Sequence, residues 1–285
     1  MSKTPICQNT SSDLPRLLGE EERAIFGRFS FALADAAKVV TLAHFDTPIG
    51  VEVKPDHPSG YDPVTIADRG AERAIRDLLD GHYPEHGIRG EEYGVKDTNS
   101  DFNWVLDPID GTRAYISALP VWGTLIALTR NIRPVLGIMD QPVTGERFFG
   151  LGDEAWLYKG GQKQRRLKTR PCKDLRTATL CTTDPHLFTK KERPVFEILR
   201  KKTRLQRYGL DCYGYAALAR GGVDLVMESG LQDYDIAALI PIVEGAGGMV
   251  TNWSGGTAWQ GGQVLATGDP RVHEEALALL SSAAS

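Results

Sequence analysis

The stretch that decides the fold is Trp104-Val105-Leu106-Asp107-Pro108-Ile109-Asp110-Gly111-Thr112. An apolar run of strand-forming residues leads straight into Asp-Pro-Ile-Asp-Gly-Thr, a series of turn formers, so the expectation is a strand that ends in a sharp turn. Such a turn points two carboxylates, the intervening carbonyl and a hydroxyl inward together. Turn chemistry alone accounts for Asp-Pro and Asp-Gly, because Asp bonds its own backbone and Gly tolerates positive φ. It accounts neither for the second carboxylate, nor for the acidic pair of Gly90-Glu91-Glu92 upstream, nor for the apolar strand that would bury these charges. Buried carboxylates without partners are costly, and a bound cation removes the cost. Hard divalent cations such as Mg²⁺ take all-oxygen ligands at about 2.0 to 2.1 Å, and Asp107, Asp110 and Glu91 meet that demand. The adjoining Gly111-Thr112 step offers backbone N–H donors and a hydroxyl, which suit a tetrahedral anion, phosphate above all. Metal ions beside it can neutralise a phosphate ester, activate a water and stabilise the leaving oxygen.

Upstream of this stretch, Ile25, Phe29, Leu33, Ala36, Val40 and Ala43 recur at three-and-four spacing and predict one amphipathic helix over 21–45, packed on the first domain. Residues 50–62, rich in Pro, Gly and Asp, predict a turn-laden connection. Helical spacing resumes over 65–79 through Ile66, Ala71, Ala74, Ile75, Leu78 and Leu79, and Gly81 and Pro84 end it. Short β-prone runs at 104–106, 121–128, 135–139 and 147–149, separated by turn residues, predict an antiparallel meander covered by these helices. After a glycine-rich and then basic segment at 159–173, strand-like runs at 178–183 and 223–228 alternate with helical stretches at 194–202, 213–220 and 236–246. The expected division is therefore 1–160, a helix-covered sheet with most of the acidic site, and 161–285, an α/β domain, with the boundary near Gly160. Internal repeats and low-complexity tracts are absent.

Composition narrows the function classes. With 285 residues, 41% hydrophobic and 25% charged, the chain is ordinary globular protein of one large or two ordinary domains. Its 33 basic and 37 acidic residues leave a formal charge of -4, too small for a global field that would hold nucleic acid or anionic lipid. An anionic substrate must be recruited locally, through a cation. Basic runs at 163–170 and 190–207 read as solvated faces, and the first lacks the interleaved aromatics of a nucleic-acid platform. No window approaches the roughly 20 apolar residues of a membrane span, and the polar residues 1–22 lack a signal-peptide core. A soluble, cytoplasmic protein without membrane or nucleic-acid partners is expected. Cys7, Cys172, Cys181 and Cys212 are far apart and read as free thiols, and the sequons at Asn9 and Asn252 read as chance. The six histidines form no H-E-x-x-H or H-x-H pattern, which argues against a zinc hydrolase. Gly245-Ala-Gly247 lacks the final glycine of a dinucleotide fingerprint and reads as a helix end.

Taken together, Gly90-Glu91-Glu92, Asp107-Pro-Ile-Asp-Gly-Thr112 and Tyr234-Asp235 ahead of Glu244-Gly-Ala-Gly-Gly248 resemble the metal-dependent inositol monophosphatase superfamily, in order and spacing over residues 62–253. The resemblance implies an α/β (α+β) fold, a layered α-β-α-β-α sandwich, usually a homodimer, with about two or three Mg²⁺ ions between its two domains. It implies metal ligands at Glu91, Asp107, the Ile109 carbonyl, Asp110 and Asp235, with Thr112 orienting the attacking water. Val64-Thr65-Ile66-Ala67-Asp68 matches the family stretch whose Asp supports that threonine and touches a further metal, making Asp68 the candidate. Thr65-x-x-Asp68 is equally a capping box, and the two roles are compatible. The family usually has Trp where this chain has Tyr234, and Asp233 is a competing carboxylate beside Asp235.

Within the superfamily, residues 111–126, 141–147 and 208–213 look most like the histidinol-phosphate phosphatase branch. Inositol phosphatases tend to carry a small residue at the position of Asp211. Histidinol phosphate has an ammonium and an imidazole that acidic residues suit, and the family alignment brings Asp211 and Glu228 to the pocket. They are the candidates for those two ends, with Gly111 and Thr112 on the phosphate. The expectation is hydrolysis of L-histidinol phosphate in histidine biosynthesis by direct attack of water, Glu91 and an Asp68–Thr112 pair guiding its proton, without a phosphoenzyme. Alternatives are an inositol monophosphatase or broad sugar-phosphate phosphatase, then a nucleotide bisphosphate phosphatase, whose additional phosphate Asp211 would repel.

Overall fold

A computed structural model describes residues 18–54 and 63–285; Cys7, His57, the Asn9 sequon and the 55–62 portion of the connection lie outside them. The chain opens with helix α1 (Glu20–His44), the short paired strands β1 (Val51–Val53) and β2 (Pro63–Thr65), and α2 (Ile66–His82). Next come β3 (Gly87–Gly90), β4 (Gly94–Lys96), β5 (Phe102–Asp110), the single turn α3 (Thr112–Ile116), β6 (Gly123–Arg130), β7 (Arg133–Gln141), β8 (Glu146–Leu151), β9 (Glu154–Lys159) and β10 (Gln162–Arg166). They form an eight-stranded sheet in the order β10-β9-β8-β7-β6-β5-β3-β4. The expected antiparallel meander holds from β5 to β10, but β3 lies parallel to β5. The second half supplies β11 (Thr179–Thr182), α4 (Arg193–Lys202), β12 (Leu205–Tyr208), α5 (Cys212–Ala219), β13 (Leu225–Leu231), α6 (Asp233–Ile236), α7 (Leu239–Gly245), β14 (Met249–Thr251), β15 (Gly262–Thr267) and α8 (Pro270–Leu280). Its sheet runs β12-β11-β13-β15-β14.

The central strands of both sheets are buried on both faces and read as nearly continuous apolar runs, in which only the period of two assigns each residue to a layer, whereas the edge strands β4, β10 and β12 are largely exposed. Trp104, Leu106, Ile126, Leu128 and Leu136 pack with Leu33, Ala37, Ile75 and Leu79 of α1 and α2. The alternate residues Val105, Leu125, Met139 and Phe148 pack with Leu239, Ile242 and Val243 of α7, and with Val226 and Ala266 of the second sheet. On that sheet's far face, Leu180, Leu225, Met227 and Leu265 meet Phe196, Leu199, Val272 and Ala276. The result is the expected α-β-α-β-α sandwich, with a middle core shared by both halves.

Several details differ from expectation. The buried stripe of α1 is Phe26, Ser30, Leu33, Ala34, Ala37 and Thr41, one residue off the predicted face, while Ile25 is exposed. Ser30 and Thr41 tolerate burial because their hydroxyls donate to the carbonyls of Gly27 and Lys38. Helix α2 runs past Gly81 to His82. The first sheet extends beyond Gly160 to Arg166, because Gly160 and Gly161, both at positive φ, form the turn between β9 and β10. The helix expected over 236–246 begins earlier and is interrupted at 237–238, where Pro241 has no N–H to donate back. That interruption is docked on the first sheet. Gly137 and Gly150 face each other in register, and a Cβ on either would overlap backbone atoms of Ala238 or of Pro241 and Ile242.

Candidate active site

The strand end of the signature is the centre of the site. β5 continues through the whole Asp107–Asp110 segment, so the sharp turn comes later than expected, at Gly111 with φ +89°, and a register shift against β6 falls between Asp107 and Asp110. Asp107 Oδ1 accepts from the Ile109 N–H at 3.0 Å, and the Thr112 hydroxyl donates to the Ile109 carbonyl at 3.1 Å. Asp110 Oδ2 accepts from the Cys212 N–H at 2.6 Å, and Asp235 Oδ2 from the Gln232 N–H at 2.7 Å. Each carboxylate is thus fixed through one oxygen. Asp107, Asp110 and Asp235 each bring an oxygen within 4.8 Å of the other two. Asp233 does not join them; it pairs with Arg89.

Glu91 adjoins this triplet. Its N–H donates to the Leu106 carbonyl at 3.1 Å, which fixes it beside Asp107. The turn it occupies is shaped by a buried side chain that the sequence reading passed over: Glu72 on α2 accepts from the N–H groups of Glu92 at 2.8 Å and Tyr93 at 3.2 Å and is held by Arg76 at 2.7 Å. Gly90 leaves room for it, since a Cβ there would overlap the Glu72 carboxylate. The Lys54 ammonium bonds Glu91 Oε1 at 2.8 Å and Glu92 Oε1 at 2.6 Å. One turn of α2 before Glu72, Asp68 Oδ2 accepts from the Thr65 N–H at 2.8 Å and the Thr65 hydroxyl at 2.6 Å, the capping box. Asp68, the expected support of Thr112, engages Thr65 through Oδ2, and the Thr112 hydroxyl engages the Ile109 carbonyl.

From the second half, Asp211 precedes α5 in a strained conformation with φ +44°. Its side chain lies against Gly111, where a Cβ would come within 3.2 Å of Asp211 Oδ2. Gly111 is therefore required both by its positive φ and by this approach. Glu228 is buried, not a strand-end surface charge: it accepts from the Thr183 N–H at 2.7 Å, the Thr183 hydroxyl at 3.0 Å and the Thr182 hydroxyl at 3.2 Å. The Tyr215 hydroxyl is buried without a hydrogen-bond partner and feels the charges of Glu228, Asp110 and Asp235.

Electrostatics explain what the cluster lacks. Burial, followed by repulsion from Glu91, Asp110 and Asp235, raises Asp107 well above the usual carboxylate range, and burial and Asp110 do the same for Asp235. Burial raises Asp110 against the pull of its Cys212 hydrogen bonds. Burial also raises Glu91, opposed by Lys54, and pushes Asp68 up to about 6 and Asp211 to about 7. Converging buried carboxylates that raise one another, with only hard oxygen donors, fit a divalent cation.

The inositol monophosphatase family model matches residues 25–285. The chain belongs to the inositol monophosphatase family. The family is generally one of metal-dependent phosphatases, and the acidic cluster Asp107, Asp110 and Asp235 could hold a metal ion. Among relatives, the "Bifunctional phosphatase IMPL2, chloroplastic" of Arabidopsis thaliana is 41% identical, covering 97% of this chain and 80% of that protein. The histidinol-phosphatase of Streptomyces coelicolor is 34% identical over 89% of this chain and 96% of its own. A solved inositol monophosphatase from Zymomonas mobilis superposes with a TM-score of 0.79 at 40% identity, covering 91% of this chain and 98% of the other. No described helix is long and apolar enough to cross a membrane.

Sequence reasoning missed Lys54, Glu72 and Tyr215, and quoted Gly90 without giving it a role. Glu72 had a signal, standing four residues after Asp68 on the face that buries Ala71, Ile75 and Leu79. Lys54 had none, since it comes from irregular chain between β1 and the undescribed 55–62.

Proposed function

We propose that this inositol monophosphatase family member is a Mg²⁺-dependent histidinol-phosphate phosphatase, converting L-histidinol phosphate and water to L-histidinol and phosphate in histidine biosynthesis. One observation carries the choice of substrate: the acidic Asp211 lies against Gly111, at a strand end whose Gly111 and Thr112 are suited to phosphate, and the buried Glu228 interacts electrostatically with Asp211. Cationic groups at the far end of the substrate complement them. The 34% identity to a histidinol-phosphatase supports the reading.

In this account Glu91, Asp107, the Ile109 carbonyl, Asp110 and Asp235 hold about two or three Mg²⁺ ions. Bound there, Mg²⁺ supplies Lewis-acid stabilisation of phosphoryl charge and lowers the pKa of a water. Thr112, fixed on the Ile109 carbonyl, orients the attacking water, and Glu91, its pKa raised by burial, takes the proton. Asp68 supports this end of the site through Thr65 and adds negative charge for a further cation. Attack is direct, so no aspartyl phosphate accumulates. The division of labour follows the chain, with 1–160 supplying most ligands and 161–285 supplying Asp235, Asp211 and Glu228. The working form is a cytoplasmic homodimer, which sedimentation of the purified protein and fractionation of the source cells test.

A second reading, an inositol monophosphatase or broad sugar-phosphate phosphatase, is favoured by the 40% identity to the Zymomonas mobilis protein. Phosphate release with Mg²⁺ from histidinol phosphate, inositol 1-phosphate and adenosine 3',5'-bisphosphate separates the readings. A kcat/KM for histidinol phosphate at least about a hundredfold above the others is expected; equal values overturn the substrate assignment and leave the chemistry standing.

A further inference from the structure

Two segments from opposite halves of the chain bring the outer carboxylates of the site together, and an ion pair joins them. Glu91 leaves β3 directly after Gly90, and Arg89 stands two residues before it, in register with Val105 of β5. Asp235 lies on α6, and Asp233 stands two residues before it. The Arg89 guanidinium Nε faces Asp233 Oδ2 as an ion pair, Arg89 Nε and Asp233 Oδ1 are buried and make no hydrogen bond, and the end of the arginine reaches solvent.

α6 is a single turn of helix, Asp233–Ile236, too short to be stable on its own. It must hold Asp235 against the repulsion of Asp110 and Glu91. Its own capping bond, from the Gln232 N–H to Asp235 Oδ2, acts within the turn and does not tie it to the first sheet. Arg89 does. The same contact occupies Asp233, which otherwise competes with Asp235 for a cation. Because the pair is neutral as a whole, it adds little net charge to the site.

We propose that Arg89–Asp233 is a positioning pair: it locks β3 to α6 across the cleft, sets the spacing of Glu91 and Asp235, and decides that Asp235 rather than Asp233 faces the metal. This rests on the reading of Glu91 and Asp235 as metal ligands. Neither Arg89 nor Asp233 touches the reacting atoms.

The sign of one substitution separates positioning from simple electrostatics. Removing a cation near a cation site tightens metal binding if only charge matters, whereas removing half of a positioning pair weakens it. The experiment is calorimetric titration of the metal-free full chain with Mg²⁺, with Mg²⁺-dependent activity and thermal melting in parallel. Arg89→Met and Asp233→Asn each weaken Mg²⁺ binding by about tenfold or more, the usual effect of losing a group that orients a ligand. The double variant is no worse than either single one, the exchanged pair Arg89→Asp with Asp233→Arg recovers part of the loss, and kcat at saturating Mg²⁺ falls far less than Mg²⁺ affinity. Arg220→Met is the control, since Arg220 and Glu146 also join the two halves, at 3.1 Å, but neither adjoins a ligand. It lowers the melting temperature and moves Mg²⁺ affinity by less than about twofold. Tighter or unchanged binding in Arg89→Met overturns the proposal, as does equal weakening in Arg220→Met. Asp235→Asn distinguishes the failure of its premise: if that variant binds Mg²⁺ like the parent, the ligand assignment itself is wrong.

Discussion

The end of β5 and the interior of the second half bury polar groups in opposite ways. At Asp107, Asp110 and Asp235, each carboxylate has one backbone N–H, and the group as a whole has no internal cation to balance it; the only nearby ammonium, among the described contacts, is Lys54, which engages Glu91 and Glu92. In the second half, Glu228 has three donors from Thr182 and Thr183, and His273 sits between the side chains of Thr251 and Thr267 at 3.1 and 2.9 Å. Buried polar groups that satisfy one another are stable without a ligand, so Glu228 is the weaker of the two acidic candidates for the substrate. Buried charges without such partners are waiting for a ligand. Asp211 stands between these cases: buried and strained, at the N-cap position of α5, it makes no side-chain capping bond.

The largest effect tests the unsatisfied end. Asp107→Asn keeps an acceptor for the Ile109 N–H but removes a charge, and should reduce Mg²⁺-dependent phosphate release by about a thousandfold. The same variant should melt no lower than the parent at pH 8 without metal. A carboxyl raised above its unfolded value favours folding at low pH and loses that contribution as pH rises through the raised value. A clear loss of metal-free stability would show the carboxylate to be satisfied after all.

His273 provides the contrasting test. Burial lowers it to about 4 from an ordinary 6.5. A depressed histidine contributes stability above its unfolded pKa and loses it as pH falls through the folded one, so about 3 kcal/mol should vanish between pH 6.5 and 4. Denaturant melts of the parent and of His273→Gln over that window measure it; parallel pH profiles would remove His273 from the account. Gly90→Ala sets the Glu72 carboxylate against a new methyl and should cost about 1 to 3 kcal/mol while weakening Mg²⁺ binding. Unaltered melting and metal affinity would mean that the acidic turn has room to move.

The smallest effect separates Asp211 from Glu228. Asp211→Asn should raise the KM for histidinol phosphate about tenfold, equivalent to about 1.4 kcal/mol. Glu228→Gln should raise it less, since its carboxylate is already engaged by Thr182 and Thr183. Unchanged KM in both variants would remove the acidic-subsite argument.

How far the sequence could be read follows the same contrast. The Asp107–Thr112 segment was legible because its geometry is local: one strand end fixes two carboxylates, a carbonyl and a hydroxyl, and Asp107, Asp110 and Asp235 do converge. The layered sheets were legible from their apolar runs. The parallel placement of β3, the extension to β10 and the rotated face of α1 depend on tertiary neighbours that no local period encodes. The resemblance pointed to Asp235 with Asp233 as competitor, since both stand on one turn; in the fold Asp235 converges with Asp107 and Asp110 while Asp233 meets Arg89, far away in the chain. Asp68 bonds Thr65 and Thr112 bonds the Ile109 carbonyl, both local contacts within three residues.

The most direct test is Mg²⁺ titration of phosphate release from histidinol phosphate by protein first stripped of metal with a chelator. A rate that is absent without metal, rises saturably with Mg²⁺ and is lost in Asp107→Asn is the predicted result. Undiminished release in chelator, or release that survives Asp107→Asn, would contradict the account.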